Sequence, residues 1–136
     1  MLTRPTTEQI LIGIAADLRG SVLTEVHSEP VKVLLGQIDQ VLLGLAARSA
    51  HEIAWIHDEV ADIAAITGTD LGHPRSLHLD DVVAWYDTAS RALSAAIDQA
   101  FAERDAARIG RLKALLDARS ANEMRIVGTL DLVGRG

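Results

Sequence analysis

The chain contains no cysteine. Disulfides are excluded, and so are thiol nucleophiles. Aromatic residues are almost as scarce: Trp55, Trp85, Tyr86 and Phe101 are the whole set. A β-sandwich draws on more aromatic and Thr-rich alternating runs, so that class is set aside. Proline occurs only at positions 5, 30 and 74, which leaves residues 31–67 with no proline and no turn cluster. Positive charge is also short, with 13 Lys and Arg against 19 Asp and Glu. An acidic chain is a poor candidate for generic nucleic-acid binding. No run reaches the roughly eighteen uninterrupted apolar residues expected of a membrane span. Residues 1–8 lack the charged start and apolar core of a secretion signal. These absences predict a soluble, cytoplasmic protein with neither nucleic acid nor membrane as a partner.

What is present is Ala, Leu, Ile and Val at helical spacing. Over Pro30–Thr67 the apolar residues Leu34, Leu35, Ile38, Val41, Leu42, Leu45, Ile53, Ile56, Val60 and Ile63 recur at steps of three and four. That period predicts one long helix with a broad apolar stripe. Its polar side carries Gln37, Gln40, Arg48, Glu52, Glu59 and Asp62. Arg48 and Ser49 interrupt the stripe, and Ser49–Glu52 has the spacing of a second capping box. The apolar phase resumes without a shift, which favours one helix with a kink or a polar spot over two helices.

Three further helices complete the reading. The first starts at Thr6, where Thr6 and Gln9 have capping-box spacing. It carries Ile10, Leu11, Ile14, Ala15, Leu18, Val22 and Val26, and Gly20-Ser21 weakens or ends its last turn. Gly68 to Pro74 punctuates a loop near 68–77. The third helix begins near Leu79, with Asp80 and Asp81 at the positive end of its dipole, and runs to Phe101. The fourth begins near Asp105 and runs past Met124. No glycine or proline marks the join between them. Residues 128–136 read as an extended arm or a frayed end. The expected fold is all-α: one domain over 1–136, an antiparallel bundle of four main helices, or five if the long central helix breaks.

No motif in the chain names an activity. The richest cluster runs from His51 to Asp62. On a helix His51, Trp55, Asp58 and Asp62 fall near one side, and imidazole with carboxylates suits a divalent metal. A metal-dependent site would combine His51, His57, Asp58, Glu59 and Asp62 with His73 or His78 from the loop. His51 and His57 are six apart, about 120° out of line, unlike the zinc-protease pair. Glu59 and Asp62 match half of the motif of helical nucleotide pyrophosphohydrolases, but the companion Glu-x-x-Glu half is missing. The bland reading is a solvated acidic face.

Arg104, Arg108 and Arg111 fall on one face of the fourth helix as read, and could clamp a phosphate or carboxylate. Salt bridging to nearby acids is the ordinary alternative. Trp55, Trp85 and Tyr86 read as core anchors between the second and third helices rather than as a ligand box. No glycine-rich phosphate loop and no partnered serine is present.

The opening Arg4-Pro5-Thr6-Thr7-Glu8-Gln9-Ile10-Leu11, with Ile38-Asp39-Gln40 and the Glu52–Asp62 segment, resembles a group of uncharacterised small bacterial helical proteins. These are similar to products encoded beside aminoglycoside-phosphotransferase-like kinases and acyl-CoA dehydrogenases. The resemblance implies an accessory role near small-molecule metabolism and carries no functional residues.

Two functions are expected from these features. The first is a non-enzymatic interaction or accessory module: a homodimer, binding a protein partner through a helix face. It rests on the long stripe, which shorter neighbours would leave overhanging, and on uneven charge. Residues 1–70 hold ten acids against four bases, whereas residues 104–136 hold seven bases against four acids. The alternative is a metal- or small-molecule-binding enzyme of the bundle type.

Overall fold

The computed structural model describes residues 4–127, and of Val127 only its backbone. Among the described residues every regular element is helical. Four helices carry the fold: α1 Thr7–Asp17, α2 Glu29–Thr67, α3 Leu79–Glu103 and α4 Ala106–Val127. The all-α class and the long second helix agree with the periodicity of the apolar residues. The arm read at 128–136 lies outside the described residues.

The start of α1 is fixed by side chains. Gln9 N–H donates to Thr6 Oγ1 at 3.2 Å, and Thr6 N–H donates to Gln9 Oε1 at 2.9 Å. Two amides left free at a helix start are thereby satisfied. Helical winding does not stop at Gly20-Ser21. It widens into a π turn, Leu18–Val22, in which Leu23 N–H reaches back to Leu18 O. One last α turn, Leu23–Glu25, closes the segment.

α2 is unbroken for 39 residues, about 59 Å at 1.5 Å per residue. The polar interruption is absorbed locally. Arg48 Nε donates to Glu52 Oε1 at 3.0 Å, one turn on, and Ser49 Oγ donates to Ala46 O at 2.8 Å instead of capping a new helix. α2 ends where Gly68 takes a left-handed conformation at φ 69°.

The chain falls into two compact units, and α2 contributes to both. One comprises the N-terminal part through Glu52 with the end of α4 from Asn122. There a Cβ on Gly44 would run into the carbonyl oxygen of Ile126, so only glycine fits. Asp39 is the one buried charged residue among those described, at 7% exposure. Arg19 Nε, on the π turn, lies 3.1 Å from its Oδ1.

The second unit spans Ile53–Ala121. Its core is Val60 and Ile63 of α2, Ala89, Leu93, Ala96 and Ala100 of α3, and Leu112 and Leu115 of α4. The α3 contribution advances at steps of four, three and four, which keeps it on one face. Three of its four members are alanine, so the helix backbones can approach closely. Trp85 and Tyr86 pack against this core, and Trp85 Nε1–H donates to Leu71 O at 2.8 Å. They are anchors, as the scarcity of aromatics suggests.

The α3–α4 join uses a non-glycine residue in a glycine role. Arg104 adopts φ 55°, and Asp105 N–H bonds back to Ala100 O at 3.0 Å. This is the Schellman arrangement, with arginine where glycine is usual. Asp105 then caps α4, its Oδ1 accepting from Arg108 N–H at 2.9 Å.

Candidate functional site

The acidic and histidine-rich residues of α2 do not assemble a cation site. Among the described residues no three His, Asp or Glu side chains are placed to hold a metal ion. Of the sequence candidates, His51, Asp58, Asp62, His73 and His78 are exposed. His57 lies against Trp85, ring centroids 4.7 Å apart and tilted by 52°. Glu59 is drawn elsewhere, because α3 and α4 each present it with a donor. Tyr86 Oη–H donates to its Oε2 at 3.0 Å, and Arg119 Nε–H donates to its Oε1 at 2.6 Å. The Arg119 guanidinium also sits 5.7 Å from the Tyr86 ring centroid, within cation–π range. With both carboxylate oxygens engaged and its charge opposed, Glu59 ties three helices together and has little capacity left as a base or a metal ligand.

The arginine trio does not sit on one helix. Arg104 lies in the left-handed turn outside α4, so it does not continue the helix face shared by Arg108 and Arg111. The helix ends by backbone conformation at Arg104, a stop that no glycine announces. Arg111 is exposed, whereas Arg108 is half-buried.

The loop histidines flank a different polar contact. Ser76 Oγ–H donates to Asp81 Oδ2 at 2.7 Å, and Arg75 Nε–H donates to Oδ1 at 3.1 Å. The Ser76 hydrogen bond, then the Arg75 guanidinium, holds the Asp81 carboxyl below the ordinary carboxylate range. This contact ties the loop to the first turn of α3.

Among the described residues α2 also carries an exposed apolar row. Along α2, Val31, Leu34, Ile38, Val41 and Leu45 are 42, 53, 38, 60 and 45% exposed. Their steps of three, four, three and four put them on one side of the helix. The buried residues Asp39 and Ala46 lie on another side. The strip is about 21 Å long. Arg48 and Glu52 continue the same spacing and end it with an ion pair. At roughly 400 Å² of apolar surface, it falls within the range of patches that mark functional contacts. By length and composition alone α2 would also be able to cross a membrane. Gln37, Asp39 and Gln40 stand in the middle of that stretch, where polar groups are expensive in lipid.

Sequence reasoning places the strip, all but Val31, within the apolar stripe without separating its exposed side from its buried side. It also misses the Arg19–Asp39 pair, whose signal is a carboxylate between Leu35 and Leu43, one turn away on either side. No family model, no curated protein and no solved structure matches the chain.

Proposed function

We propose that this protein is a helical interaction module without catalytic activity, acting in the cytoplasm as a homodimer through the exposed apolar strip of α2. One observation carries the reading: five consecutive strip positions, Val31 to Leu45, are each more than one-third exposed. Isolated exposed leucines are ordinary; a continuous row at helix-pairing spacing marks a contact surface. The engagement of Glu59 by Tyr86 and Arg119, and the exposure of the remaining acids, support an architectural rather than chemical role for the second unit. An accessory role beside small-molecule metabolism is compatible with such a module.

Sedimentation equilibrium tests the proposal. The unaltered chain is expected at twice its 14.6 kDa mass. Ile38→Glu is expected to be monomeric with unchanged helicity by circular dichroism, because a charge there must be desolvated on pairing. A wild-type monomer at all concentrations would refute the proposal, as would recovery of the protein with lipid vesicles.

A further inference from the structure

The strip specifies how two copies would meet, an inference that rests on the homodimer reading above. Its steps, three from Val31 to Leu34, four to Ile38, three to Val41 and four to Leu45, admit one heptad phase. Val31, Ile38 and Leu45 occupy a positions, and Leu34 and Val41 occupy d positions. Two of the three a residues are β-branched and Leu34 sits at d, the combination that favours two strands.

The odd number of positions separates the two orientations. In a parallel, in-register pair, each residue faces its own copy, and all five layers are apolar. In an antiparallel pair, layers form between a and d. Three a positions cannot all be matched by two d positions. One antiparallel register sets Val31 against Arg48, and the other sets Leu45 against His27, which precedes α2. Either register loses an apolar layer. The parallel register loses none; beyond its last layer Arg48 faces its own copy, each guanidinium already paired with the Glu52 of its own chain.

We infer that two copies pair α2 to α2, parallel and in register, over Val31–Leu45. Burying roughly 400 Å² per copy, about 800 Å² in all, falls below the size of stable interfaces, so the pair is a weak, reversible dimer of identical chains.

The absence of native cysteine makes the test direct. Val31→Cys, Val41→Cys, Leu34→Cys and Leu45→Cys are oxidised singly, then as mixtures of Val31→Cys with Val41→Cys and of Leu34→Cys with Leu45→Cys. Val33→Cys, exposed on the same helix but off the strip, is the control. Each single strip variant is expected to form a covalent dimer, and the control to stay uncrosslinked. In a parallel pair the mixed positions lie about 15–17 Å apart, beyond disulfide reach. Heterodisulfides in either mixture, with no crosslink in the single preparations, would overturn the inference while keeping the dimer. A monomer by sedimentation would overturn the homodimer reading itself. Circular dichroism on each variant confirms that a missing crosslink is not a missing fold.

Discussion

At the scale of single residues, three positions are fixed by contacts that composition does not show. Gly44 has no room for a methyl group, because the Ile126 carbonyl backbone occupies that place. Gly44→Ala is expected to lower unfolding free energy by about 1–3 kcal/mol in urea melts, as overpacking against backbone does. Arg104 sits at φ 55° with its side chain exposed. Arg104→Gly is expected to raise stability by about 0.5–1 kcal/mol. A loss on that substitution would return the arginine to consideration as a binding group. Glu59 joins Tyr86 and Arg119 with its side chain 15% exposed. Glu59→Ala leaves a half-buried guanidinium without its carboxylate and is expected to cost about 1.5–3 kcal/mol; Tyr86→Phe is expected to cost about 1 kcal/mol. A double-mutant cycle of Glu59→Ala with Arg119→Ala isolates their coupling.

At the scale of elements, the helices were legible in the sequence and their ends were not equally so. Thr6 and Gln9 announce α1 because a capping box is a local arrangement of side chains. Gly68 and Gly72 announce the loop because both take positive φ. The continuity of α2 past Arg48 was legible from unchanged apolar phase. The α3–α4 boundary was not, since Arg104 adopts a conformation that its type rarely takes. The site was less legible still. Helical spacing puts Asp58, Glu59 and Asp62 near one another on a wheel, but only neighbouring helices decide which carboxylate gains a donor. Tyr86 and Arg119 select Glu59 from sequence distances of 27 and 60 residues. The loop–α3 contact has a pH signature. Because Asp81 is held below its unfolded value, its contribution is present above the ordinary carboxylate pKa and lost as pH falls through the lower folded one. Amide protection in residues 70–78, taken relative to the intrinsic exchange rate at each pH, is therefore expected to fall on acidification below about pH 4, and Asp81→Asn is expected to abolish that pH response.

At the scale of the whole molecule, the proposed assembly makes stability depend on concentration. A reversible dimer whose paired form is the more stable one unfolds at a higher temperature when more concentrated. Thermal melts at protein concentrations two decades apart are expected to differ for the wild type and to coincide for Ile38→Glu. Equal melting of the wild type at both concentrations would speak against dimerisation coupled to folding. The helix carrying the strip also passes into the unit containing Glu59, so a local change at Val41 is best followed by exchange along the full length of α2.

The π turn at Leu18–Val22 has a consequence of its own. It holds one residue more than an α-helix needs to advance the same distance. Each residue of α-helix turns the chain by about 100°. Deleting Gly20, whose surroundings are open, would let the stretch from Thr7 to Glu25 wind as uninterrupted α-helix. Because the widened turn already absorbs the surplus residue, the residues on its two sides would keep nearly the alignment they have now. A residue removed from the regular part of α1 has no such turn to absorb the change and would rotate the preceding residues by about 100°. The π turn is thus the place in this segment where the chain can change length by one residue and keep its faces.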